Sequence, residues 1–151
     1  MSLSRALVLD ANIVIRAVLG PRVRQLLAQN HDNLLFFAPD VALADARRHL
    51  PTILTRRGID PQLAMTHLEQ VETLIQPVSA DTYEPARNEA LWRISSRDPD
   101  DWPILATALV LDCPIWTEDR DFFGSGVPTW TTDRVELYFR NTRPASDTAI
   151  R

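Results

Sequence analysis

The fold of this chain is indicated by its stretch Arg5-Ala-Leu-Val-Leu-Asp10-Ala-Asn12. Its apolar residues follow one another without the alternation of a half-exposed strand, which predicts a strand buried on both faces. Asp10 ends this strand, and residues 12–19 have the pattern of a short helix. Ligands of open parallel sheets bind beyond the carboxyl ends of the strands, so Asp10 is a candidate site residue as well as a candidate helix cap.

The rest of the chain continues this alternation of short apolar strands and helices. Further strands are predicted at residues 34–38, 77–78, 114–117 and 127–131, and helices at 21–29, 40–50, 61–75, 81–95, 102–111 and 133–140. Such alternation predicts one α/β domain with a central parallel sheet and helices on both faces. We expect the domain to occupy residues 1–142 and a disordered polar tail to occupy 143–151.

Two local patterns make sharper predictions about helix ends. Pro51 is predicted to kink or end the helix that begins near Asp40, since proline lacks the N–H of a helix interior. Asp81 and Glu84 form an Asp-x-x-Glu pattern that resembles a capping box at the start of the helix at 81–95.

The composition excludes several classes of chemistry. All sixteen cationic residues are Arg and none is Lys, which excludes a Schiff base, a P-loop lysine and a Ser–Lys dyad. Cys113 is the single cysteine, so an intrachain disulfide and a multi-Cys zinc site are excluded, and we expect a buried, inert thiol. The N-terminus has no secretory pattern and no window of about 18 residues is apolar, so we expect a cytoplasmic protein without a membrane span.

Carboxylates occur beside several of the predicted strand ends. The candidates are Asp10 after the first strand, Asp45 in the second turn of the helix after the second strand, Asp101 before the apolar helix at 102–111, and Asp119 and Asp121 after the strand at 114–117. Carboxylates gathered at one sheet edge repel each other unless one is protonated or a cation binds, and Mg²⁺ suits a site of few carboxylates. The three histidines are dispersed, and we do not expect them to bind metal.

Each acid also has a purely structural explanation. Asp45 can pair with Arg48 or His49, at least one of the acids at 98–101 can cap a helix, and Asp119 and Asp121 can bond to local N–H groups.

Four blocks of the sequence resemble the PIN domain family. They are Val8-Leu-Asp10-Ala-Asn-Ile-Val-Ile15, Phe36-Phe-Ala-Pro39-Asp-Val-Ala-Leu-Ala-Asp45, Arg97-Asp-Pro-Asp-Asp101-Trp-Pro-Ile-Leu-Ala-Thr-Ala108 and Ile115-Trp-Thr117-Glu-Asp119-Arg-Asp121-Phe122. The resemblance covers residues 5 to about 130. It implies a parallel sheet of about five strands, a site for Mg²⁺ or Mn²⁺, and hydrolysis of RNA phosphodiester bonds.

Matched block by block, the resemblance assigns roles to single residues. The catalytic and metal-ligating positions are Asp10, Asp45, Asp101 and Asp119, with Asp121 as an outer metal ligand and Asn12 and Thr117 as supporting residues. The second block more often carries Glu, and Asp45 is one methylene shorter. Asp98 or Asp100 can share the role of Asp101, because all three lie in one acidic turn.

As a small single domain, the chain most resembles VapC-type toxins, which implies an antitoxin partner and a homodimer. The alternatives are an RNA-processing nuclease of the same fold and an inactive PIN-like binding module. RNA would need cations near an acidic site, and the candidates are Arg47, Arg48, Arg97 and Arg120, together with Arg16, Arg56 and Arg57. A receiver domain is excluded by the lack of Lys, and a haloacid-dehalogenase-type phosphatase by Asn12 in place of a second Asp.

Overall fold

Five parallel strands form one sheet in the computed structural model, which describes residues 5–140. The strands are β1 (Arg5–Leu9), β2 (Leu34–Pro39), β3 (Gln76–Val78), β4 (Ile115–Trp116) and β5 (Thr129–Trp130). Their order in the sheet is β3-β2-β1-β4-β5, and every pair is parallel. The predicted central parallel sheet is confirmed, whereas the expected domain end at 142 and the tail at 143–151 lie outside the described residues.

Eight helices within this range flank the sheet. They are α1 (Ala11–Leu19), α2 (Pro21–Asn30), α3 (Asp40–Arg57), α4 (Pro61–Leu74), α5 (Ala80–Tyr83), α6 (Arg87–Ile94), α7 (Trp102–Leu111) and α8 (Val135–Arg140). Short 3₁₀ turns lie at Glu84–Ala86, Pro99–Asp101 and Arg120–Phe122. In residues 5–140 no helix is both long enough and apolar enough to cross a membrane.

The centre of the core is formed by β1 and α7. Leu7, Val8 and Leu9 are fully buried, which explains why β1 is apolar at consecutive positions. In α7 the residues from Pro103 to Ala108 are all buried, so this helix is apolar on nearly every side. Cys113 is buried after α7, and burial raises the pKa of its thiol to about 12, as the expected inert role requires.

Pro51 does not end its helix, so the prediction of a stop there is wrong. α3 runs from Asp40 to Arg57 with Pro51 inside it. Leu50 and Leu54 on either side of the proline are both buried, so the apolar face continues past Pro51. The helix ends instead at Gly58, whose φ of +63° is the left-handed conformation that glycine adopts without strain.

Pro51→Ala is expected to raise the free energy of unfolding by about 2 kcal/mol. Alanine restores the N–H that can donate to the Arg47 carbonyl and removes the clash of the proline ring with the preceding turn. Urea unfolding followed by circular dichroism measures the change. Pro21→Ala is the matched control, because Pro21 is the first residue of α2, where a missing N–H costs nothing. A Pro51→Ala protein no more stable than the wild type would contradict this expectation.

The capping box predicted at Asp81 and Glu84 is also wrong. The helix begins at Ala80, with Ser79 at the N-cap position. Glu84 lies beyond the four-residue α5, and a 3₁₀ turn at Glu84–Ala86 separates α5 from α6. Pro85 explains the interruption, because it cannot donate to the carbonyl of the preceding turn.

Candidate metal centre

The candidate site lies where the order of the strands reverses. β1 leads to β2 and β3 on one side of the sheet, whereas β4 and β5 lie on the other side. Asp10 follows β1 and Thr117 follows β4, and the Thr117 hydroxyl donates to Asp10 Oδ2 at 2.8 Å. The backbone N–H of Asp10 donates to the Trp116 carbonyl at 3.2 Å. The two strand ends are therefore joined at the topological switch point, where ligands of such sheets bind.

Asp10 is held by three hydrogen bonds that fix its carboxylate. Oδ1 accepts from the N–H of Ala11 at 2.6 Å, and Oδ2 accepts from Asn12 Nδ2 at 3.0 Å as well as from Thr117. Burial raises the pKa of Asp10, the three hydrogen bonds lower it, and the negative charge of Asp119 raises it. Asp10 thus caps α1 and also faces a second acid. Its role as a helix cap is therefore compatible with its interpretation as a site residue.

Thr117 joins Asp10 to Asp119. Thr117 is fully buried, and its hydroxyl accepts from the N–H of Asp119 at 2.9 Å while it donates to Asp10. Asn12 Nδ2 lies 3.4 Å from the same hydroxyl, and Asn12 Oδ1 accepts from the N–H of Glu118 at 3.3 Å. Asn12 and Thr117 therefore lie where supporting residues were expected, in contact with the acids.

Asp101 has the most perturbed carboxyl group of the site. Burial is the first cause, followed by the negative charges of Asp10, Asp98 and Asp119 and by a side-chain hydrogen bond with Asp119, and together they raise the pKa of Asp101 to about 7. Its Oδ2 atom is buried and has no hydrogen-bond partner within residues 5–140. A buried carboxylate oxygen without a donor is stable only with a proton or a cation.

Three carboxylates meet at close range beside Asp10 and Asp119. One oxygen from each of Asp98, Asp101 and Asp121 lies within 4.8 Å of the other two. Asp98 Oδ1 also accepts from the N–H of Asp100 at 3.0 Å, so it caps the turn that leads to Asp101. The sequence interpretation allowed Asp98 or Asp100 to share the role of Asp101, and the structure brings Asp98, but not Asp100, into the close group with Asp101.

Asp45 lies apart from this group. It is in the second turn of α3, where its Oδ1 accepts from Arg48 Nη2 at 2.7 Å. No interaction in the described range connects Asp45 with the other candidate acids. The ion pair with Arg48 is the structural role that the spacing of three residues allows.

Four of the seven arginines predicted to meet RNA differ in their surroundings. Arg47 makes two hydrogen bonds to the carboxylate of Glu72 on α4, and Arg48 is paired with Asp45. Arg97 donates to the Arg120 carbonyl at 3.2 Å, and its Nη1 atom lies 3.9 Å from an oxygen of Asp121. Arg97 and Arg120 therefore lie at the acidic group, whereas Arg47 and Arg48 are occupied by acids of their own.

The group of acids fits a hard divalent cation. Its atoms are carboxylate oxygens, and neither histidine nor cysteine belongs to the close group formed by Asp98, Asp101 and Asp121. Mg²⁺ and Mn²⁺ take such oxygen ligands, and a cation would neutralise the repulsion that raises the pKa of Asp101. The unpartnered Oδ2 of Asp101 is the observation that favours a cation most directly.

Comparison with known proteins identifies the family. The family model described as the PIN domain matches residues 8–140. The chain therefore belongs to the PIN domain family, and the resemblance found in the four sequence blocks is confirmed. A search of curated proteins gave no match.

Solved structures share this fold at low sequence identity. VapBC2 from Rickettsia felis, bound to a DNA fragment of its promoter, has a TM-score of 0.66 and 11% identity over 83% of this chain and 98% of that chain. PAE2754 from Pyrobaculum aerophilum has a TM-score of 0.64 and 14% identity over 93% of this chain and 91% of that chain. A toxin–antitoxin complex from Klebsiella pneumoniae has a TM-score of 0.52 and 16% identity, over 83% of this chain and 97% of that chain.

Proposed function

We propose that this protein is an endoribonuclease that depends on Mg²⁺ or Mn²⁺. The observation that carries the proposal is the unpartnered, buried Oδ2 of Asp101 among the charges of Asp10, Asp98 and Asp119. A carboxylate in such surroundings favours a cation. Membership of the PIN domain family suggests that the reaction assisted by this cation is hydrolysis of an RNA phosphodiester bond. Asp10, Asp101 and Asp119 are the proposed catalytic residues, with Asp121 and Asp98 beside them.

The chemistry divides between the cation and the protein. When bound, Mg²⁺ or Mn²⁺ supplies Lewis-acid polarisation of a phosphodiester and lowers the pKa of water. Asp98, Asp101 and Asp121 would hold the cation, since their oxygens lie within 4.8 Å of one another. Thr117 and Asn12 orient the Asp10 carboxylate toward the site through hydrogen bonds of 2.8 and 3.0 Å. The proposed nucleophile is water, because no serine, cysteine or lysine belongs to the group.

The biological role that we propose is that of a toxin from a toxin–antitoxin pair. Support comes from the PIN domain family and from the fold shared with VapBC2 and with the Klebsiella toxin–antitoxin complex. The proposal includes an antitoxin partner, a homodimer and a cytoplasmic location. The alternatives are an RNA-processing nuclease and an inactive binding module. Growth arrest on expression, relieved by a gene neighbouring that of this chain, would favour the toxin over both.

Cleavage of RNA by the purified protein tests the activity directly. The protein is incubated with a mixture of end-labelled RNAs and either Mg²⁺ or Mn²⁺, beside the same mixture with EDTA. We expect internal cleavage that EDTA abolishes. RNA that stays intact under all conditions, while calorimetry detects Mn²⁺ binding, would favour the inactive binding module. Intact RNA without metal binding would contradict both the proposed metal site and the proposed ribonuclease activity.

Thr117→Val is expected to lower kcat about tenfold and to leave KM nearly unchanged. Valine keeps the shape of threonine but loses the hydroxyl that orients Asp10 and accepts from the N–H of Asp119. Thr107→Val is the matched control, because Thr107 is also fully buried but bonds to the Pro103 carbonyl within α7. Thr117→Ser should restore kcat, since it keeps the hydroxyl. Equal kcat in the two valine variants would show that Thr117 does not position the site.

Asp45 is retained in the proposal as an acid that acts directly or through water, although it does not belong to the close group of Asp98, Asp101 and Asp121. Asp45→Ala is expected to lower the cleavage rate about tenfold, less than a change at Asp101, because Asp45 is paired with Arg48. Asp45→Glu, one methylene longer, should cleave at least as fast as the wild type. If the Asp45→Ala protein cleaves RNA at the wild-type rate, the only role left for Asp45 is its ion pair with Arg48.

A further inference from the structure

Three arginines gather around a cavity that the acidic site does not include. The cavity has a volume of about 380 Å³ and is lined by Arg16 of α1, Arg22 of α2, Arg57 at the end of α3 and Thr132 after β5. Gly20 and Pro21 at the start of α2 also line this cavity, which we call the arginine cavity. In a chain with a net charge of −4, such a concentration of positive charge is a local feature.

Two of the three guanidinium groups have no partner within residues 5–140. Arg22 pairs with Glu136 at 2.8 Å, whereas no hydrogen bond or ion pair of the Arg16 or Arg57 side chain occurs in that range. Positive groups that share one cavity repel each other unless an anion lies between them. The planar donors of arginine match the oxygens of phosphate, so phosphate is the anion that this cavity fits best.

The start of α2 adds donors to the same wall. Gly20 is the N-cap residue and has no side chain to accept from the N–H groups of the first turn. These groups have no partner within the helix, and they favour an anion together with the arginines.

Hydrogen bonds connect the arginine cavity with the acidic site. Asn12 donates to Asp10, and it accepts from the N–H of Glu118 at 3.3 Å. Glu118 Oε2 in turn accepts from the N–H of Thr132 at 2.8 Å. Arg16 lies four residues after Asn12 on α1, and so it projects from the same face of that helix. Thr132 of the cavity is therefore linked to Asp10 by three successive hydrogen bonds through Glu118 and Asn12.

We propose that the arginine cavity binds a phosphate of the RNA backbone beside the phosphate that is cleaved. This inference rests on the proposed function, since it assigns a second subsite to the same substrate. It replaces the earlier candidates Arg47 and Arg48, which are occupied by Glu72 and Asp45. Arg16, Arg22 and Arg57 hold the phosphate by charge and hydrogen bonds, and they fix the direction in which the strand crosses the acidic site.

Binding without cleavage tests this inference. A labelled single-stranded oligoribonucleotide is titrated with protein in EDTA, from 50 to 200 mM salt, and fluorescence anisotropy reports the Kd. We expect Arg16→Gln and Arg57→Gln each to weaken binding about tenfold and to lower the slope of log Kd against log salt by about 0.7. Arg134→Gln is the matched control, because Arg134 is exposed and lies two residues after Thr132 but does not line the cavity. It should change Kd by less than about twofold.

A second arm requires no variant. Pyrophosphate is titrated into the wild type, and the indole N–H signal of Trp116 is followed by NMR. This N–H donates to the Thr132 hydroxyl at 3.1 Å, so a ligand in the cavity should shift its signal. A saturable shift supports the subsite, and an unchanged signal overturns it.

The outcomes separate this inference from the proposed function. If RNA binds and Arg57→Gln behaves like Arg134→Gln, the subsite is overturned and the ribonuclease proposal stands. If the wild type binds no RNA at 50 mM salt in EDTA, the subsite is overturned, and the cleavage assay with Mg²⁺ or Mn²⁺ still decides the ribonuclease proposal. If a polyglutamate peptide binds more tightly than RNA and depends equally on Arg57, the cavity belongs to a protein partner and the RNA subsite is overturned.

Discussion

Asp101→Asn is expected to slow RNA cleavage about a thousandfold or more at saturating Mg²⁺. Asparagine keeps the size of the side chain but removes the charge on which a divalent cation depends. A thousandfold loss corresponds to about 4 kcal/mol of transition-state stabilisation, within the range of one ligand to a catalytic cation. Single-turnover cleavage of a labelled RNA measures the rate of the chemical step without product release.

Asp100→Asn is the matched control for this experiment. Asp100 is the preceding residue in the same 3₁₀ turn, and the substitution removes the same charge. Asp100 is exposed and does not belong to the close group of Asp98, Asp101 and Asp121. We expect the Asp100→Asn protein to cleave RNA at a rate within about twofold of the wild-type rate. Equal rates for Asp100→Asn and Asp101→Asn would assign the activity to another site or to a contaminating nuclease.

The fold was predictable because a buried strand or helix appears in the sequence as one continuous run of mostly apolar residues. β1 is buried at its last three positions, and α7 is buried on most sides, so both stretches are largely apolar. The continuation of α3 past Pro51 was not predictable in this way. What carries α3 past the proline is the packing of Leu50 and Leu54 and the cap at Gly58, and the packing depends on distant residues.

The candidate site was partly predictable for a related reason. Asp10 follows an apolar strand, so its place at the sheet edge can be read locally. The role of Asp98 depends on the turn at Pro99–Asp101, in which Asp98 is the N-cap residue and its carbonyl accepts from the N–H of Asp101 at 3.2 Å. That conformation brings Asp98 and Asp101 to one side, and the acidic turn alone does not distinguish it from other turns.

The arginines show most clearly that the local sequence does not predict which side chains pair with an acid. Arg47 and Arg57 both lie on α3, yet Arg47 meets Glu72, which is 25 positions later in the chain, and Arg57 lines the arginine cavity. Only the packing of α3 against α4 and α1 decides which guanidinium group stays free for an anion.

Asp101→Asn is also expected to stabilise the metal-free protein, in the direction opposite to its effect on activity. The pKa of Asp101 is about 7 in the folded protein, above the ordinary value of 3.8, so folding favours the protonated carboxyl group. The contribution of this group to stability is complete below about pH 4 and is lost as the pH rises through 7. At pH 8 the wild type carries the full cost of an ionised Asp101, and the variant does not.

We expect the variant to gain about 2 kcal/mol at pH 8 in EDTA, which allows for partial exposure of the carboxyl group. The gain should shrink toward zero as the pH falls to 4. Urea unfolding of both proteins across this pH range measures it, and Asp100→Asn should show no such trend. Saturating Mn²⁺ should reverse the order at pH 8, because only the wild type regains stability by binding the cation at full strength. A metal-free variant less stable than the wild type at pH 8 would mean that Asp101 stabilises the fold, and that the site is not strained by repulsion between its acids.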